Sequence, residues 1–204
     1  MGKRAMPHGI LKFNANVLAL EKQGRWKTAA ELAYKQWVSE PNNINHLCCA
    51  GTEIWCALLE MEYCKFAPID TTGMEFDDSG EMQVLLWKVA SYGEKHFAEN
   101  AIFNAYFGHM HVVMPFFFYG YNGDYTGWKE QGLRMMCKAK ELDPDNLFAV
   151  AMAYSNGEPR DFANACRDFW LQITPAQWGT GEVAQYFFYI LNGPVFYPHA
   201  YKNS

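Results

Sequence analysis

The chain has 204 residues, half of them hydrophobic and 17% aromatic, with a formal net charge of −5 and a pI near 5.7. This length suits one domain with a substantial core or a short array of repeats, and so apolar a chain is not intrinsically disordered. The acidic balance excludes a general nucleic-acid binder, which needs a basic footprint.

The start, MGKRAMPHG, is basic but is not followed by an uninterrupted apolar run, so no secretory signal is expected. Met6 stands where a myristoylation motif needs Ser or Thr. A first helix is expected over 9–22 and a second over 26–39. The second carries Trp26, Ala29, Ala30, Ala33, Tyr34 and Trp37 on one stripe, with Glu31 and Lys35 as an exposed pair one turn apart. It stops at Glu40-Pro41, where Asn42 and Asn43 are capping candidates for a third helix over 44–65.

That third helix carries the most suggestive set of chemical groups. His46, Cys49, Glu53, Cys56, Glu60 and Cys64 follow one another at three or four residues and share one stripe. Imidazole and thiol ligands suit zinc or copper. Yet four ligands along one straight helix cannot surround an ion tetrahedrally, and free cysteine is a common core filler. The expectation is therefore no metal, no cofactor and no catalytic residue. The six cysteines at 48, 49, 56, 64, 137 and 166 lack the paired CxxC pattern of a zinc site and are expected to be free thiols in a cytoplasmic chain.

Residues 66–80, FAPIDTTGMEFDDSG, form the one long loop, too rich in turn residues for a helix. Asp70, Glu75, Asp77, Asp78 and Glu81 lie in or beside it, and no basic residue occurs between 66 and 87. Its functional reading is attraction of a basic partner; its plain reading is a solvated loop. DDSGE lacks the alternating oxygen ligands of a calcium loop.

Helices follow over 81–98 and 100–118. The second of these holds the most membrane-like stretch, but Asn104, His109, His111 and Pro115 make it a crowded buried helix instead. His109 and His111 point to different faces, which suits hydrogen-bonded core histidines better than a chelating pair. MPFFFYGYNGDY, 114–125, packs six aromatic residues into twelve. Consecutive aromatics on a helix point in every direction, so some of Phe116, Phe118, Tyr119 and Tyr121 are expected to anchor a partner.

The remaining helices are expected over 125–142, 146–155, 160–173 and 175–191, making about nine. Pro144 ends the first of these, and Asp145 or Asn146 caps the next. The last has Thr174 as its cap, Pro175 in its first turn and Gln177 completing a capping box. No GxSxG, phosphate loop, GxGxxG or HExxH motif is present.

The tight joints at Pro41 and Pro144 recur, and with Gly24, Trp26, Ala29 and Ala50-Gly51 the chain resembles the tetratricopeptide-repeat family, helical hairpins of ~34 residues. Ala139, Ala153, Phe162, Ala165 and Phe107-Gly108 fit the same scheme, whereas Gln36 stands where a small residue is expected. The resemblance implies an all-α fold of stacked antiparallel hairpins over 1–204, either a solenoid or a compact helical array. It also implies a protein-binding module rather than an enzyme. The most concrete form is a bacterial immunity protein that occludes a cognate toxin, a basic nuclease. The alternative is a secretion chaperone or adaptor, and a third reading is an enzyme using the stripe on 44–65 or the two histidines. Neither nucleic acid nor membrane is expected as a direct partner.

Overall fold

The computed structural model describes residues 9–66, 80–118, 125–173 and 181–196. Those residues form nine α-helices and one short 3-10 turn, with no strand among them. The helices are α1 (Ala15–Glu21), α2 (Trp26–Ser39), α3 (Ile44–Phe66), α4 (Glu81–His96), α5 (Ala101–Val113), α6 (Tyr125–Leu142), α7 (Leu147–Tyr154), α8 (Pro159–Gln172) and α9 (Glu182–Phe196). The 3-10 turn, Pro115–Phe118, separates α5 from α6. No described helix is long and apolar enough to cross a membrane.

The expected joints form by the expected chemistry. Asn43 accepts from the amides of Asn45 and His46 (3.1 and 3.4 Å) and starts α3 just after Pro41. Asn146 accepts from Ala149 at 3.1 Å and starts α7 just after Pro144. Asn100 does the same for α5, binding the amides of Ile102 and Phe103. Most successive helices therefore fold back on one another as antiparallel hairpins. The hairpins stack, because α3 also touches α5, and α5 touches α7. Trp55, Phe103, Tyr106, Phe107, Met136, Phe148 and Phe187 lie in one continuous core between these layers.

Three boundaries differ from the periodicity. The first helix starts at Ala15, not residue 9, because the preceding backbone is bound elsewhere. Asn45 grips Lys12 through both its amide and its carbonyl (2.9 and 3.0 Å), and the Tyr106 hydroxyl donates to the Gly9 carbonyl at 2.7 Å. The fifth helix ends at Val113, since Pro115 has no amide to donate and Met114 adopts φ −133°, ψ 64°. The last helix begins just after Gly181, whose φ of +122° is a backbone conformation that favours glycine. The described helix runs over 182–196, past the end expected at 191; the start expected at 175 and the cap expected at Thr174 lie outside the described residues.

The tightest crossing is between α5 and α6. A methyl on Gly108 would sit 2.8 Å from the Gly132 carbonyl oxygen, and one on Gly132 would sit 2.5 Å from that of Gly108. Backbone meets backbone there, so no rotamer change can relieve a larger residue. Gly132→Ala is expected to cost about 1–3 kcal/mol of stability, measured by denaturant unfolding.

Candidate functional site

The expected partner surface divides among several fates. Asp70, Glu75, Asp77, Asp78, Tyr119 and Tyr121 lie outside the described residues. Glu81 opens α4, is exposed, and pairs with Lys27 of α2 at 3.2 Å. Phe116 is 45% exposed. Phe118, by contrast, is completely buried, with its ring against His111 and Trp128. It cannot serve as an exposed anchor, because the 3-10 turn after Pro115 rotates it inward while turning Phe116 out.

The turn is fastened to α4. Trp87 donates its indole N–H to the Phe117 carbonyl at 2.7 Å, and the Gln83 amide donates to the carbonyls of Phe117 and Phe116 (2.9 and 3.3 Å). Glu81 and Phe116, which lie 35 positions apart, are thus attached to the same end of one helix. Beyond them, Val84 is 41% exposed. It is shared by two shallow depressions, one of about 550 Å³ over Trp87, Lys88, Ser91, Tyr92, Lys95 and His96. The other, about 400 Å³, lies between α2 and α4 over Tyr34, Leu85 and Met82, with Glu31, Lys35 and Glu81 at its edge. Exposed Lys35, Lys88 and Lys95 make the described rim of mixed charge.

The stripe on α3 is mostly interior. Cys49 and Cys56 are buried, and Cys49 lies 3.5 Å from the Lys12 carbonyl. His46 turns toward Glu40 (3.4 Å), and the Cys64 side chain lies outside the described set. Cys48, Cys49, Cys56, Cys137 and Cys166 are free thiols, with only Cys137 exposed among them. Burial pushes the Cys166 thiol up to about 12, and Cys48, Cys49 and Cys56 also rise for that reason first. Protonated, inaccessible thiols are poor nucleophiles and poor ligands. Among the described residues no three His, Cys, Asp or Glu side chains are arranged to hold a metal ion.

The two histidines do face different ways, and only His109 has a hydrogen-bond partner, at one of its two ring nitrogens. The His109 ring binds the Tyr186 hydroxyl at 2.9 Å, whereas neither ring nitrogen of the fully buried His111 has a partner. His111 sits edge-on to Phe118, with ring centroids 3.9 Å apart. Burial lowers the His109 pKa to about 4 and that of His111 to about 3, so both are neutral near pH 7.

A further constellation escaped the periodicity. Glu21 from α1 and Glu53 from α3 are 4% and 1% exposed. Both oxygens of Glu21 and Oε2 of Glu53 lack a hydrogen-bond partner of good geometry. Burial comes first in raising the Glu53 pKa well above the usual range, followed by the charge of Glu21 and then that of Glu182. Glu21 is raised by burial and relieved in part by Glu53, by the Glu182 amide and by Lys22. Glu60 is raised too, by burial and then by Glu182. Nothing local in the sequence marks Glu21 or Glu182 for this place; only the approach of α9 to α1 puts them there.

No family model matches the chain, and neither a curated protein nor a solved structure matches it.

Proposed function

We propose that the chain is a protein-binding module whose partner docks on the outer face of α4 and the adjoining 115–118 turn. The observation that supports this reading is the fastening of that turn by Gln83 and Trp87, which leaves Phe116 and Val84 exposed beside depressions floored by Trp87, Tyr92 and Tyr34. Aromatic floors held rigidly beside exposed apolar side chains are what partner anchors need. In its most concrete form the module is a bacterial immunity protein that occludes a basic toxin, with Asp70, Glu75, Asp77, Asp78 and Glu81 steering the approach. A secretion chaperone or adaptor is the second reading, favoured by Lys35, Lys88 and Lys95, which suit a client segment bearing carboxylates.

The test begins with the protein that copurifies stoichiometrically from the native host, followed by association and dissociation kinetics at two salt concentrations. Val84→Asp combined with Phe116→Asp is expected to raise the dissociation rate roughly tenfold for each ~1.4 kcal/mol lost, with an unchanged helical spectrum. For a basic toxin, Asp77→Lys with Asp78→Lys slows association; for an acidic client, Lys88→Glu with Lys95→Glu does so. If neither the apolar pair nor either charge pair alters binding, the face on α4 is not the interface. A toxin that stays fully active in the presence of saturating protein sinks the immunity reading.

A further inference from the structure

The last helix is seated unlike the others. Instead of extending the stack, α9 returns across it and contacts α8 and α3. Tyr186 packs on Trp55 of α3 and His109 of α5, while Phe187 packs on Tyr106 of α5 and Phe148 of α7. The inner helices of three successive hairpins thus share one aromatic layer with α9. Side-chain hydrogen bonds across this seat include His109 with Tyr186 (2.9 Å) and the Trp170 indole to the Leu191 carbonyl (3.2 Å).

The N-terminal end of α9 is where the buried carboxyls lie. Gly181 comes so close that a methyl there would stand 2.5 Å from Glu21 Oε2 and 2.5 Å from Leu18 Cδ2. Lys22 and Glu21 face this point from α1, Glu53, Cys56 and Glu60 from α3, and Glu182 and Tyr186 from α9. Among the described residues of these elements, Lys22 is the cation that acts on the pair, through Glu21. Two buried ionised carboxylates facing a third across a water-poor junction repel one another strongly, and one shared proton removes most of that cost.

We infer that Glu21 and Glu53 form a proton-binding site that seats α9, and that loss of the shared proton frees α9 from the aromatic layer of α3, α5 and α7. The pair titrates as a unit. Folded-state pKa values above the unfolded carboxylate value mean that the folded chain binds protons more tightly than the unfolded one. The stabilisation is then complete below the unfolded value near 4.5 and is lost as pH rises through the folded values. Freeing α9 uncovers Trp55, Tyr106 and Phe148, so the proton controls access to an apolar surface.

The experiment is hydrogen exchange resolved by mass spectrometry on the full chain, from about pH 5 to about pH 9, corrected for the intrinsic pH dependence of exchange. The expected result is that α9 amides lose protection as pH rises, by up to ~tenfold per pH unit for each proton released, while α5 and α6 amides keep theirs. Glu53→Gln, which stays neutral at every pH, is expected to flatten that loss. Should that variant not fold, Glu182→Gln replaces it. Removing the facing charge lets the carboxyls ionise at lower pH, which shrinks the total loss. The inference is overturned if α9 protection is independent of pH, if the folded variant retains the wild-type slope, or if every helix loses protection together.

Discussion

His111→Leu is expected to raise the melting temperature near pH 7 and to remove the largest single source of acid sensitivity. Leucine fills a similar volume against Phe118 and Trp128 without bringing polar atoms, whereas both imidazole nitrogens are buried without a partner. Leaving such groups unpaired costs about 1–3 kcal/mol, which the substitution recovers in part. The pH dependence has a definite sign. The unfolded histidine titrates near 6.5 and the folded one near about 3, so below 6.5 the unfolded chain binds the extra proton. Stability then falls from about pH 6.5 down to about pH 3 and levels off below that. At ~1.4 kcal/mol per pH unit, this one residue accounts for at most about 5 kcal/mol. His109, lowered to about 4, adds a smaller loss in the same direction. Its replacement is less favourable, because the Tyr186 hydroxyl would lose its partner. Thermal melts of wild type and His111→Leu at a series of pH values decide the matter. Parallel curves would mean that the imidazole is solvated in the native protein.

The second large effect is expected from Phe187→Ala, a loss of about 3–5 kcal/mol. The ring is 1% exposed and meets Tyr106, His109, Phe148 and Tyr186, contacts drawn from two other helices and from α9 itself. Neighbours anchored on α5 and α7 cannot all collapse into the vacated space, so a cavity cost adds to the lost burial. Phe116→Ala makes the control. Its ring is nearly half exposed, and its removal is expected to change stability by no more than ~0.5 kcal/mol while weakening partner binding. Denaturant unfolding with an unchanged m-value separates the two positions. Equal losses at both would mean that the 115–118 turn carries as much of the core as α9 does.

The two halves of the buried polar chemistry act in opposite directions. Depressed histidines remove stability as pH falls below about 6.5, and raised carboxyls remove it as pH rises through their folded values. Stability is therefore expected to fall off on both the acid and the alkaline side, with α9 loosening first on the alkaline side. Glu53→Gln and His111→Leu flatten opposite limbs, which makes the two effects separable in one set of melts.

Much of the helical architecture was legible because its signals are local. Apolar residues at a 3.6 period, Pro41 and Pro144 as stops, and Asn43 and Asn146 as caps act over one or two turns, and the structure uses each of them. The boundaries that moved did so where distant groups competed for the backbone. Asn45 and Tyr106 claim residues 9–12 for α3 and α5, so periodicity alone overextends the first helix. At Pro115 the local rule applied but met an aromatic run that reads equally well as more helix. The inward turn of Phe118 and the outward turn of Phe116 follow from a 3-10 geometry that side-chain hydrophobicity does not encode.

For the candidate sites the division is sharper. By itself the sequence determined an all-α chain of stacked hairpins, the helix that carries Glu53 among cysteines, and the opposite facing of His109 and His111. Periodicity and breaker residues suffice for these. Only the tertiary structure decided that Glu81 and Phe116 share one end of α4, that His111 is unpartnered, and that Glu21 and Glu53 meet beneath α9. Such pairings depend on which helix crosses which. Crossings are set by close approaches such as Gly108 on Gly132, and by rings from three helices filling one layer, summed over the whole chain. A buried charge is also a property of its surroundings: the carboxyl that is ordinary on an exposed helix becomes a proton-holding group once other elements exclude water from it.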